Sequence, residues 1–84
     1  MIILQTIIQR SWIENNAREM EGCIFECELT DEQYESGYGN NIQYSITNPS
    51  NQNRIMGYTE AQPGSILIPE IDSWVEIGYF EMLI

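Results

Sequence analysis

A chain of 84 residues makes one small domain, 1–84, and such a chain buries roughly 60–65% of the surface its unfolded form exposes. Its apolar fraction of 43% belongs to a globular protein rather than a disordered one. Three arginines face thirteen carboxylates, and the net charge of -10 argues against direct binding to nucleic acid or to an anionic membrane surface and in favour of a basic partner.

Residues 2–13 are rich in isoleucine. As a strand they place Ile2, Leu4, Ile8 and Trp12 on one face, and Ile3, Ile7 and Ile13 on the other with Gln5 and Gln9. A helix would instead gather Leu4, Ile7, Ile8 and Trp12 into a stripe and expose Ile13. The β-branched content and the missing N-cap favour the strand. A strand apolar on both faces belongs at the centre of a sheet or at an interface. No apolar run reaches the ~18–20 residues needed to span a bilayer. The start has neither a basic region nor a small-residue cleavage site, so the expectation is a cytoplasmic protein without a targeting segment.

The stretch Glu14–Glu35 holds eight of the thirteen carboxylates and a single cation, Arg18. Asn15, Asn16 and Gly22 carry turn chemistry around a short Ala-Arg-Glu-Met-Glu segment. A strand near 23–30 then alternates at period two, with Cys23, Phe25, Cys27 and Leu29 to one side and Ile24, Glu26 and Glu28 to the other. The two cysteines stand about 13 Å apart on such a strand, too far to bridge each other. Two buried thiols suit a reducing compartment. Thr30-Asp31-Glu32-Gln33 has the spacing of a capping box, so a short helix starts at Thr30 and ends at the glycine–asparagine run from Gly37.

Ile42–Thr47 and Arg54–Thr59 flank a polar turn and predict a hairpin with Ile42, Tyr44 and Ile46 on its core side. Gln62-Pro63-Gly64 is a further turn, and Ser65–Ile68 a short strand that Pro69 stops or places at an edge. Residues 70–84 read either as a helix aligning Ile71, Trp74, Val75 and Tyr79, or as a strand with Val75, Ile77, Tyr79 and Leu83 on one face. Gly78 and its β-branched neighbours weigh against the helix. The expected fold is therefore mainly β, a small antiparallel sheet, sandwich or barrel of five to six strands with one short helix. It becomes α+β if residues 70–84 are helical.

The chemistry this composition permits is narrow. There is no histidine and no lysine, which removes histidine-based catalysis and lysine Schiff-base chemistry. The cysteines lie among carboxylates that disfavour a thiolate. Glu26 and Glu28 would stand roughly 6.5–7 Å apart on a strand, near the lower bound for an inverting carboxylate pair, but a chain this short has little material for a substrate cleft. Cys-x-x-x-Cys without histidine completes no zinc set, and no segment matches a calcium loop, so neither metal nor cofactor is expected. Aromatic residues have almost no cations beside them, which opposes direct nucleic-acid binding.

What the composition favours is a non-enzymatic binding or inhibitor protein that presents an acidic surface to a basic partner, such as a nuclease or another nucleic-acid-binding protein. A DNA mimic, or a phage-type anti-defence inhibitor, is a concrete form of it. The residues expected to make the contact are Glu14, Glu19, Glu21, Glu26, Glu28, Asp31, Glu32 and Glu35. The alternative is a structural module that forms homo-oligomers or docks on a larger complex through apolar strands. The Ile-rich start, the apolar C-terminal segment and the lack of lysines to guard a strand edge motivate it.

Overall fold

The computed structural model describes residues 1–84 as seven antiparallel strands and one α-helix. In chain order these are β1 (Ile2–Ile7), β2 (Ile24–Leu29), α1 (Asp31–Ser36), β3 (Gly39–Thr47), β4 (Arg54–Gln62), β5 (Ser65–Ile68), β6 (Ser73–Glu76) and β7 (Glu81–Met82). They form one sheet in the order β6-β5-β4-β3-β2-β1-β7. The mainly-β expectation holds, with one strand more than the upper count and no helix after residue 70 beyond single 3₁₀ turns.

The order of the strands dictates the shape. Strands β6 and β7 lie at opposite edges, yet only a 3₁₀ turn, Ile77–Tyr79, and its flanks separate them in the chain. Laid flat, seven strands would put those edges about 29 Å apart, whereas the five links from Glu76 to Glu81 reach at most about 17 Å. The sheet must therefore curl, and it does so into a half-barrel around its apolar face.

The core lies on that inner face. Phe25 is fully buried at its middle, stacked on Tyr44 at 5.2 Å between ring centroids and edge-on to Phe80 at 6.0 Å. Leu4 and Ile8 from the first segment, Cys23, Cys27 and Leu29 from around β2, and Ile66, Ile68 and Val75 from β5 and β6 complete the layer. The alternation expected of β2 is the one observed. So is the inward face of the β3–β4 hairpin, whose pairing begins at Thr47 opposite Arg54.

Two segments depart from the expectation. Strand β1 stops at Ile7, and Arg10–Trp12 form a 3₁₀ turn that takes Trp12 off the strand's inner row. The strand also sits next to the edge strand β7 rather than at the centre, and Ile7 is left 61% exposed. After β6, the 3₁₀ turn breaks the period of two, so Val75 is buried while Tyr79 and Leu83 are exposed. The helical turns serve the same purpose in both places, which is to close the seam between the two sheet edges. Glu14 donates its backbone N–H to the Ile71 carbonyl at 3.1 Å, and the Asn15 side-chain amide donates to the Glu70 carbonyl at 3.0 Å. Thr6 Oγ1 donates to the Tyr79 carbonyl at 2.9 Å, and the Trp12 and Tyr79 rings meet edge to face at 5.3 Å.

Helix α1 is set by its cap. The Gln33 backbone N–H donates to Thr30 Oγ1 at 3.1 Å, and Thr30 N–H donates to Gln33 Oε1 at 2.9 Å, the reciprocal pair that the spacing predicted. Gly37 ends it at φ +78, a conformation that only glycine adopts without strain. No helix is long and apolar enough to cross a membrane.

Candidate functional site

The outer face of the half-barrel is built by the residues that the inner face leaves over. Antiparallel partners point the same way, so the register assembles rows across the sheet. One row runs Glu81, Gln5, Glu26, Ser45 and Met56 across β7, β1, β2, β3 and β4. A second joins Ile7, Ile24, Thr47 and Arg54. A third places Ile3 beside Glu28, and Gln43 beside Tyr58. Within the first row Gln5 Nε2 donates to Glu26 Oε1 at 3.1 Å, which holds the Glu26 carboxylate over the middle of the sheet.

Seven of the eight expected contact residues divide into three groups. Glu26 and Glu28 stand on the outer face of β2, half-buried and exposed respectively. Glu19 and Glu21 are exposed in the loop before β2, around the 3₁₀ turn Arg18–Met20. Asp31, Glu32 and Glu35 are exposed on α1 beyond the other end of the strand. A six-residue strand spans about 20 Å, so these seven carboxylates are spread along β2 and beyond both its ends rather than converging on a point, with Glu19 beside the inward-facing Cys23 and Ile46. Glu14 lies apart from them in the seam beside Ile71. Sequence reasoning passed over Glu60, Glu76 and Glu81, which the sheet also presents to solvent. Glu81 joins the row of Glu26 only through the pairing of β7 with β1, a contact between chain ends that no local pattern encodes.

It also passed over Glu70. This carboxylate turns inward and accepts the Tyr44 phenol, whose oxygen lies 2.6 Å from Oε2 and 2.8 Å from Oε1. Burial, the bond to Glu70 and the nearby negative charge all push the Tyr44 phenol well above its ordinary range. Gly57 makes room for this arrangement, since a Cβ there would lie 3.1–3.2 Å from the Tyr44 ring. The thiols are similarly restrained. Burial, and then the charge of Glu26, push Cys27 up to about 12; burial and then Glu19 raise Cys23. Both face the core as free thiols and are protonated at neutral pH.

Thirteen carboxylates share one ion pair. The amino-terminal ammonium lies 3.3 Å from Asp31 Oδ1, and both groups are exposed. Arg10, Arg18 and Arg54 make none. Four depressions on the outer face differ in this respect. The two beside Glu26, of about 30 and 230 Å³, both include Arg54 among their walls. A larger one of about 570 Å³ lies between the start of α1 and the β3–β4 surface, walled by Glu28, Asp31, Gln33, Asn41, Gln43 and Tyr58, with Met1 at its side. Another of about 350 Å³ adjoins it through Asn41 and Tyr58 and contains Glu60. Neither of these two has a lysine or arginine side chain in its wall. No three carboxylate or cysteine side chains come together closely enough to hold a metal ion.

Comparison of the chain with protein-family models, curated proteins and solved structures finds no match.

Proposed function

We propose that the protein is a non-enzymatic binding protein that engages a basic partner through the acidic outer surface along β2, and that it acts in the cytoplasm. The observation that carries this reading is the imbalance of charge: thirteen carboxylates, three arginines and one ion pair, at the amino terminus. Carboxylates that stabilise a fold are usually paired or hydrogen-bonded; here only Glu26 and Glu70 accept side-chain hydrogen bonds of that kind, apart from the ion-paired Asp31. The remainder project a negative field that raises encounter rates with a cationic surface. Two buried free thiols suit the reducing interior of a cell.

A protein that binds nucleic acid fits best as the partner. The longest dimension is 33 Å, a length over which duplex DNA carries about nineteen phosphate charges. A net charge of -10 is about half of that, which matches one strand or one groove edge rather than a whole duplex. An inhibitor that occupies the DNA site of a nuclease, including one of the anti-defence kind, is the concrete form of this proposal. The test is capture of partners from host extract, repeated across salt concentrations and with Glu26, Glu28, Glu32 and Glu35 changed together to Gln. A basic partner retained at low salt, released at high salt and lost with the fourfold variant supports the reading. Retention that ignores both salt and the four carboxylates overturns it.

One observation favours the assembly alternative. Met82, Leu83 and Ile84 are exposed in or next to the two-residue edge strand β7, which pairs with β1 on one side and with no strand on the other. Sedimentation separates the readings, since this one requires a dimer or larger species that changes at Met82 or Leu83 dissolve.

A further inference from the structure

We infer that the two adjoining depressions around Tyr58 form a dock for arginine side chains of an extended basic segment in the partner. This deepens the proposed function and rests on it, because it names the place and the side chain by which the basic partner is held.

Tyr58 is 67% exposed, the most exposed of the large apolar side chains, although it stands well inside the nine-residue strand β4. Its ring forms a wall shared by both depressions. The other shared residue is Asn41, which explains why the depressions exist. Gly39 pairs with Ala61 and Ile42 with Thr59, so Asn40 and Asn41 together oppose the single residue Glu60. This is a β-bulge, with Asn41 at φ 56, and it interrupts the ladder beside the ring. Carboxylates share both depressions with Tyr58, Glu28 and Asp31 the larger one and Glu60 the smaller.

The chemistry selects arginine over other cations. A guanidinium is planar, stacks on an exposed aromatic face, and offers a fork of N–H donors to carboxylates and amide oxygens at the same time. The walls supply each of these acceptors, with Asn41 and Gln43 contributing the amides. Lysine provides the charge without the plane or the fork. Alternate side chains on an extended peptide are about 6.5–7 Å apart on one side, so two arginines separated by one residue reach both sides of the ring. No arginine or lysine of the chain competes there, although the amino-terminal ammonium already holds Asp31 in the wall of the larger depression. Arg54 serves the depressions at Glu26, and the nearest positive group is the amino terminus on Asp31.

The test compares two blocked synthetic peptides, one of alternating arginine and glycine and one of alternating lysine and glycine, titrated at ~50 mM salt with backbone amide shifts as readout. The wild-type chain is expected to hold the arginine peptide about two- to fivefold more tightly, the range an exposed cation–π contact supplies. The largest shifts are expected at Asn41, Gln43 and Tyr58. Tyr58→Leu keeps the charge and should reduce the arginine peptide to the affinity of the lysine peptide, whereas Tyr58→Phe keeps the ring and the preference. Equal affinities that Tyr58→Leu leaves unchanged overturn the dock but leave the acidic-surface reading standing. Failure of both peptides to bind at low salt overturns that reading together with the dock.

Discussion

Tyr44 and Tyr58 lie on neighbouring strands of one sheet, each close to carboxylates, and they do opposite things. Tyr44 is on the inner face, buried over Gly57, and its phenol is bonded to Glu70. Tyr58 is on the outer face, sharing depressions with Glu28 and Glu60, and its hydroxyl has no hydrogen-bond partner within the chain. The contrast follows from burial. A carboxylate partly withdrawn from water gains from a donor, and the fold supplies one to Glu70. A carboxylate left in water needs none, so it stays available to something else. The inner face is thus organised around satisfying its polar groups, and no buried side-chain polar atom lacks a partner. The outer face accumulates charge with little compensation beyond the Gln5 bond to Glu26 and the amino terminus on Asp31.

Substitutions on the two faces should separate accordingly. The largest effect is expected at Phe25, where Phe25→Ala removes the ring that Tyr44 and Phe80 pack against and should cost about 3–5 kcal/mol in urea denaturation. Second comes Tyr44→Phe. It leaves Glu70 without its donor and should cost about 1–2 kcal/mol, toward the low end for a charged acceptor because Glu70 is half-exposed. A double-mutant cycle with Glu70→Gln measures the coupling, and a coupling of zero would mean that the two faces treat their carboxylates alike.

The inner face should also report itself through pH. Cys27 rises from its ordinary value of 9.0 to about 12 in the fold, so the unfolded chain loses this proton first as pH increases. The stability it contributes is complete below pH about 9 and is lost progressively toward about 12. Tyr44 has the same sign, beginning above its ordinary value of 10.0. Cys27→Ala should flatten the decline between pH 9 and 11, even though it lowers stability at neutral pH. At the rim between the faces, Thr30→Ala removes the cap of α1 and should cost about 1 kcal/mol, with faster amide exchange in the first turn of the helix. The smallest effect belongs to the outer face. Tyr58→Leu should change stability by no more than about 0.5 kcal/mol, and a larger loss would move Tyr58 to the structural side of the comparison.

Features closed within a few residues were legible in the sequence. The capping box links Thr30 to Gln33, three positions away, and needs no tertiary contact to form. The alternation of β2 separates Cys23, Phe25, Cys27 and Leu29 from Glu26 and Glu28, because one face of a strand must be dry. The β3–β4 hairpin is marked by its own turn. The end of β1 was not legible, because Ile8, Trp12 and Ile13 continue the apolar run after the strand has turned away. For the candidate site the sequence marked Glu28 and Asp31, but Tyr58 carried no signal beyond one nearby arginine. Its place in the wall of both depressions lies beside a bulge in the opposite strand.

By itself, then, the sequence determined a small β-rich domain, a capped helix, an inward row of apolar side chains and an excess of negative charge, because each follows from local geometry or from counting. The tertiary structure decided the rest. It put β6 and β7 at opposite edges and curled the sheet to bring them together, turned Glu70 inward to Tyr44, and set Glu28 and Glu60 in the two depressions that meet at Tyr58. The physical reason is common to all of these. They depend on register between segments distant in the chain, and register is fixed by which side chains the whole sheet can bury together.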